Sequence, residues 1–279
     1  MPWLLVGVAL GVALAGVAAG GPAASERPAA RPAVAAHRGG ALLWPENSLL
    51  AFRQALALGV TYLELDVHLS RDGHPVVIHD PTLDRTTSGR GPVRALGLDE
   101  LRLVRLRDAA GTVTPEPLPT LDEVLELAAH ARCRLLVEIK VDERRQRYPA
   151  VEETVLAALD RHGMTPFAVI MAFEAATWRR VLELRPGMLT AALYSPRMLE
   201  GRAGGLEGAL AEARAAGVRV VGLHHALVTP DAVARARAAG LTVGAWTVNE
   251  AAAIRRVVEA GVDVVISDRP DLALEIARR

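Results

Sequence analysis

At 279 residues, with 51% hydrophobic and 23% charged side chains, the chain is long enough for one large domain with a sizeable buried core. Its 32 basic and 32 acidic residues cancel, which leaves neither a basic face for nucleic acid nor a like-charged interaction tail. A single cysteine, Cys133, excludes an internal disulfide framework and reads as a small core hydrophobe at the start of a strand.

The chain begins with an unusual stretch. Met1 to Ala24 carries no charged side chain, and Trp3 to Ala19 is continuously apolar or Gly. Residues 1–24 are expected to be a signal peptide, with small residues at Val17-Ala18-Ala19 and Ala23-Ala24 for a peptidase, or an uncleaved membrane anchor. The missing Lys or Arg at its start departs from the usual export signal. As a helix it would span roughly 33–36 Å, enough to cross a bilayer. Ala-, Pro- and Gly-rich sequence follows, so residues 25–32 read as a linker and residues 33–279 as the folded domain. The expected location is periplasmic or secreted, or membrane-anchored outside the cytoplasm, with possible membrane association through the N-terminus.

From there, short apolar runs alternate with amphipathic stretches. The expected strands are Val34–Ala36, Thr61–Val67, Pro75–His79, Leu135–Lys140, Phe167–Ala172, Leu189–Tyr194, Val218–Leu223, Leu241–Thr247 and Val262–Ser267. Helical patterns lie between most of them, opened by Thr120, Thr229-Pro230 and Asn249-Glu250 and closed by Gly59, Gly163, Gly217, Gly240 and Gly261. Such alternation predicts an α/β fold, a (β/α)8 TIM barrel. Nine strands is one too many. Only the seven residues His68 to His74 separate Thr61–Val67 from Pro75–His79, too few for a parallel crossover, and Asp72-Gly73 is a two-residue hairpin signal. These two strands are therefore expected to form an antiparallel hairpin in which Arg71 pairs with His74 and Asp66 lies opposite His79. Residues 80–119 show little periodicity and read as a loop insertion over the barrel mouth.

In such a barrel, reactive groups sit at the C-terminal ends of the strands. His37-Arg38 ends the first. Glu64 and Asp66 share one face of the second, and Glu138 and Lys140 share one face of another. An isolated Glu-x-Asp on a strand is usually a solvated face, but in a closed barrel these carboxylates point inward, where they need a partner. Three acidic oxygen donors call for one divalent cation, Ca²⁺ or Mg²⁺, and do not match a Cys/His zinc site. Arg38 and Lys140 are suited to holding a phosphate, and the two histidines to moving protons near neutral pH. Together they form an inventory for cleaving a phosphate ester.

Read in order, Ala36-His37-Arg38-Gly39-Gly40, Pro45-Glu46-Asn47-Ser48, Glu64-Leu65-Asp66-Val67, Val77-Ile78-His79-Asp80, Leu83-Asp84-Arg85-Thr86-Thr87-Ser88-Gly89, Val137-Glu138-Ile139-Lys140, Trp246-Thr247-Val248-Asn249 and Ile266-Ser267-Asp268-Arg269-Pro270 give a sequence that resembles the glycerophosphodiester phosphodiesterase family of phospholipase-C-like TIM barrels. The likeness covers nearly all of residues 34–279; Ser48 stands where the family often has Thr. It implies a barrel hydrolase that splits glycerophosphodiesters into glycerol 3-phosphate and an alcohol. His37 and His79 then look like the acid-base pair, Glu64, Asp66 and Glu138 like metal ligands, and Arg38 and Lys140 like phosphate contacts. His79 could instead touch the metal. Trp246 packs against substrate or is purely structural, and Glu46 orients Arg38 or serves a helix N-terminus. The attacking group is water or the 2-hydroxyl of glycerol. The expected ligand is a small glycerophosphodiester or lysophospholipid, and not nucleic acid. Two rival readings are a lysophospholipase D-like or phosphoinositide-directed enzyme on the same barrel, and a non-catalytic surface-binding module.

Overall fold

The computed structural model describes residues 31–278. The expected signal or anchor, and the linker apart from residues 31–32, lie outside the described residues. In chain order the elements are β1 (Ala33–Ala36), α1 (Leu49–Leu58), β2 (Tyr62–Leu69), β3 (Pro75–Val77), α2 (Leu98–Leu101), β4 (Arg105–Arg107), β5 (Val113–Pro117), α3 (Leu121–Ala131) and β6 (Arg134–Ile139). Then follow α4 (Val151–Arg161), β7 (Ala168–Ala172), α5 (Ala175–Leu184), β8 (Thr190–Tyr194), α6 (Pro196–Leu199), α7 (Gly205–Ala215), β9 (Val220–His224), α8 (Pro230–Ala238), β10 (Thr242–Trp246), α9 (Ala251–Glu259), β11 (Val264–Ser267) and α10 (Pro270–Ala277).

Strands β1, β2, β6, β7, β8, β9, β10 and β11 run parallel in that order, and β1 pairs with both β2 and β11, closing the barrel. Alternation along each strand divides the apolar residues between two cores. Leu63, Leu65, Val67, Leu135, Val137 and Ile139 face outward into the main core beneath the helices. Ala35, Leu136, Met171, Leu193 and Ile266 face inward and form a separate, smaller interior core. The inward positions of β2 and β6 nearer the mouth are Glu64, Asp66 and Glu138 instead, all buried. Two of the expected helix openers act as caps: Thr120 and Thr229 accept hydrogen bonds from the backbone N–H of Glu123 and Ala232, and Ser48 does the same from Ala51.

Three expectations need correction. The hairpin register is off by one residue: Val67 pairs with Val77 and His68 with Val76, so Ile78, not His79, lies opposite Asp66 and donates its N–H to the Asp66 carbonyl. The connection is a three-residue loop, Arg71-Asp72-Gly73, with Gly73 at φ 81° and Ser70 paired with His74, in place of a two-residue turn. Secondly, strand β3 ends at Val77, so His79 lies in a bend beyond it. Thirdly, residues 80–119 are more than loop. They contain α2 and the β4–β5 hairpin around a core of their own, Val76, Ile78, Leu83, Val93, Leu101, Leu106 and Leu118. This insertion is tied to the mouth by Arg85 on Glu46 and by Arg94 on Glu143.

Candidate active site

The segment after β1 is built around a tight left-handed turn. Arg38, Gly39 and Gly40 all have positive φ, and a Cβ at Gly39 would lie 2.7 Å from the Cβ of Ala51 and 3.1 Å from the ring of Phe52 in α1. Glycine is needed there both for its backbone and for the close approach of the helix. Gly39→Ala should therefore cost about 2–4 kcal/mol, from overpacking and left-handed strain together. Denaturant titration reads this as a lower midpoint at unchanged slope.

This turn aims Arg38 and His37 into the barrel. The Arg38 backbone N–H donates to Glu64 Oε2 at 2.8 Å, its Nη1 donates to Glu46 at 3.0 Å, and its Nε stands 3.5 Å from Asp66 Oδ2. Arg85 donates to both Glu46 oxygens at 2.8 and 2.9 Å. Glu46 thus orients Arg38, and Ser48 supplies the helix cap.

Glu64, Asp66 and Glu138 each offer one oxygen, and the three oxygens lie within 4.8 Å of one another. The register explains this: Asp66 on β2 is directly paired with Glu138 on β6, and Glu64 is one inward position deeper. Burial and the neighbouring Asp66 push the Glu64 carboxyl up to about 8. Asp66 is held well below the usual carboxylate range; burial opposes its charge, but Lys140, His79 and Arg38 outweigh it. Lys140 reaches Glu138 at 2.6 Å and Asp66 Oδ1 at 3.3 Å, yet Asp66 Oδ1 accepts no hydrogen bond among the described residues. A divalent cation fits this donor set: all oxygen, all buried, with an orphaned carboxylate oxygen and a carboxylate that resists ionisation without further positive charge.

Two histidines flank the carboxylates, and each is backed by an aspartate. His37 Nδ1 is 2.6 Å from Asp268 Oδ1, while its Nε2 stands 3.9 Å from Glu64. Burial alone would lower the His37 pKa, but Glu64 and the Asp268 hydrogen bond raise it overall. His79 Nδ1 is 2.7 Å from Asp80 Oδ1, and Asp80 also accepts from Arg85 Nε at 2.7 Å. His68 anchors the His79 backbone. Burial pushes its pKa down to about 4, so it is neutral, donating from Nε2 to the His79 carbonyl and accepting at Nδ1 from Tyr148.

The pocket spans about 420 Å³, part of it open to solvent, with His37, Arg38, Glu64, His79, Glu138 and Lys140 on one side. Met171, Phe173, Leu193, Ile266 and Trp246 form its apolar wall. Trp246 packs edge-on against Phe173 and His224, and its buried indole N–H has no acceptor. The bare backbone of Gly222 makes room for it: a Cβ there would sit 3.3 Å from Trp246 Cδ1 and 2.4 Å from Leu193 Cδ2. His225 stands beside His224 at the rim.

Every residue singled out from the sequence thus borders this pocket or, like Asp66 and Glu46, binds a residue that does. Four others were not assigned a place. Asn249 reads as a helix opener, but α9 is capped at Glu250, and Asn249 instead donates to Asp268 Oδ2 at 2.7 Å and accepts from the Asp268 N–H at 2.9 Å. Asn47 donates to Asp66 Oδ2 at 2.9 Å. With Asp268 and Asp80, these hold the site's side chains from behind. All four lie inside the motifs of the family resemblance, which is the one signal that marked them.

The model of the glycerophosphoryl diester phosphodiesterase family matches residues 37–272. A glycerophosphodiester phosphodiesterase from Caldanaerobacter subterraneus subsp. tengcongensis is 32% identical over 249 residues, covering 88% of this chain and 98% of that protein. Among solved structures, an Oleispira antarctica phosphodiesterase in complex with the product sn-glycerol-3-phosphate superposes with a TM-score of 0.76 at 26% identity, over 89% of this chain and 97% of that one. A glycerophosphodiester phosphodiesterase from Agrobacterium tumefaciens gives a TM-score of 0.71 at 25% identity, over 89% and 100%.

Proposed function

The chain belongs to the glycerophosphoryl diester phosphodiesterase family, and from that premise we propose that it hydrolyses small glycerophosphodiesters to glycerol 3-phosphate and an alcohol by histidine acid-base catalysis assisted by one divalent cation. The observation that supports this reading is a buried carboxylate triad flanked, at one pocket, by two aspartate-backed histidines and two basic side chains, Arg38 and Lys140.

Glu64, Asp66 and Glu138 would hold the cation, Ca²⁺ or Mg²⁺ by donor chemistry, which when bound supplies positive charge to the phosphoryl oxygens. Arg38 Nε is a buried donor without an acceptor, and with Lys140 Nζ it is suited to the phosphate. Because each Nδ1 is committed to an aspartate, Nε2 is the proton-carrying atom of both His37 and His79. One removes a proton from the attacking hydroxyl, of water or of the glycerol C2, and the other protonates the departing alcohol; attack by the C2 hydroxyl leaves a cyclic phosphate, which water then opens to glycerol 3-phosphate with the same two histidines exchanging roles. The Trp246 indole packs on the glycerol carbons, with its N–H free for a hydroxyl.

Asp268→Asn keeps the shape of the His37 contact but weakens the charge-assisted bond and lets the ring adopt the other tautomer. It should lower kcat about 10–100-fold with little change in KM. A steady-state comparison with the wild-type chain checks this.

The whole reading is tested by incubating the folded protein with Mg²⁺, Ca²⁺ or Mn²⁺ and a panel of diesters, and assaying glycerol 3-phosphate. Comparing glycerophosphoethanolamine with lysophosphatidylethanolamine separates a soluble diester from a lysolipid substrate. A panel with no turnover would favour a binding module. The apolar sequence of residues 1–24 supports action outside the cytoplasm, which cell fractionation with an antibody to the folded domain would check.

A further inference from the structure

A second cavity, an open cleft spanning about 970 Å³ with its solvent-filled mouth, lies beside the active-site pocket and shares Glu138, Lys140 and Phe173 with it. Lys140, assigned above to the phosphate, thus stands on the border between the two pockets. The remaining charged side chains of the outer cavity come from three successive strand ends: Arg145 after β6, Glu174 after β7 and Arg197 after β8. Neither Arg145 nor Arg197 makes a side-chain hydrogen bond or ion pair among the described residues. This contrasts with Arg38, Arg85, Arg94 and Arg147, which are all paired with carboxylates.

Arg145 is also presented by a hydrogen-bonded turn. Its backbone is in the left-handed region, φ 61°, inside a turn organised by the buried Asp142, whose Oδ1 accepts from the N–H groups of Arg144 and Gln146 at 2.9 and 2.8 Å. Arg94 of the insertion clamps the same loop through Glu143 at 2.8 Å. A non-glycine residue held at positive φ is a conformation that persists when the surroundings impose it. Here those surroundings leave the guanidinium over the cavity with no carboxylate in hydrogen-bond or ion-pair contact among the described residues; its acidic neighbour there is Glu174, whose charged form it favours from a distance.

We propose that this outer cavity is the subsite for the leaving alcohol, and that Arg145 and Arg197 make it selective for an alcohol carrying a second anionic group, a phosphate or a carboxylate. The assignment rests on the phosphodiesterase reading above. Glu174, on the wall between the two arginines in chain order, opposes them: it disfavours an anion beside it and keeps the preference moderate.

The test is a specificity ratio. Values of kcat/KM are measured for glycerophosphoglycerol, whose alcohol is neutral, for the same diester bearing a terminal phosphate, and for glycerophosphoglycerate, which bears a carboxylate. The wild-type chain should favour one or both anionic substrates over the neutral one by about tenfold, the effect of a charge-assisted hydrogen bond. The two anionic arms show which group the site takes. In the Arg145→Gln/Arg197→Gln double variant the ratio should fall to about one, with each single variant between, while Glu174→Gln should raise it about two- to threefold. The opposite sign for Glu174→Gln distinguishes a charge effect from general damage. A ratio that is the same in the wild-type chain and the double variant overturns the subsite. If the wild-type chain turns over none of the three with any cation, the phosphodiesterase reading itself fails and this inference fails with it.

Discussion

His37→Gln should lower kcat on a glycerophosphodiester by about 10³-fold while leaving the protein folded, because it removes one of two proton-transferring groups and little else. Gln retains a similar volume and can still hydrogen-bond Asp268, which accepts from His37 at 2.6 Å and is itself fixed by Asn249 at 2.7 Å. What is lost is an imidazole facing Glu64, whose pKa Glu64 and the Asp268 hydrogen bond raise above its ordinary value. His79 cannot take over both proton transfers, since its Nδ1 is committed to Asp80 and its backbone is pinned by His68. The effect should therefore fall on kcat, with KM changing only a few-fold, and should exceed that of Asp268→Asn by about tenfold or more. A circular dichroism spectrum matching the wild-type chain, alongside steady-state rates, checks it; full activity in a folded variant would remove His37 from the chemistry.

The second large effect concerns the carboxylate triad and has a readout apart from catalysis. Saturating cation, at about 100 times its dissociation constant, should stabilise the wild-type fold by about 2.7 kcal/mol, or roughly 5–10 °C in Tm for a domain of this size. Glu64→Gln should abolish most of that shift and reduce turnover by at least about 10³-fold. It should not destabilise the metal-free protein. Gln can still accept the Arg38 N–H, which donates to Glu64 Oε2 at 2.8 Å, and it removes a carboxyl whose ionisation burial and Asp66 already resist, up to about 8. A calorimetric melt of both proteins, with chelator and with each cation, separates the two. A variant that kept the full cation-dependent shift would show that the ion binds elsewhere.

Much of this site was legible because its residues obey short-range rules. Two-residue alternation put Glu64 and Asp66 on the face opposite Leu63, Leu65 and Val67, and the pairing of Asp66 with Glu138 across β2 and β6 follows from barrel closure. The hairpin failed at the level of one residue. Asp72-Gly73 suits a two-residue turn and a three-residue loop alike, and the buried pairs Val67–Val77 and His68–Val76 chose the latter. His79 still reaches the pocket, because the chain bends after Val77. The insertion's core was hidden for a different reason: Leu83, Val93, Leu101, Leu106 and Leu118 are scattered through turns and short elements, with no period to read. The partners Asp268, Asn249 and Asn47 act across long chain separations, and local spacing carries no trace of such contacts. Asn249 even sent a misleading signal, since an Asn before a helical stretch ordinarily caps it.

The central claim is that a cation-holding carboxylate triad and two histidines together cleave glycerophosphodiesters. The most direct measurement is release of glycerol 3-phosphate from glycerophosphoethanolamine by the folded chain, before chelation, in excess chelator, and after return of a single divalent cation. Turnover that falls by at least about 10³-fold in chelator and returns with Mg²⁺ or Ca²⁺ is the predicted result. An undiminished rate in excess chelator, or no glycerol 3-phosphate with any cation, would contradict it.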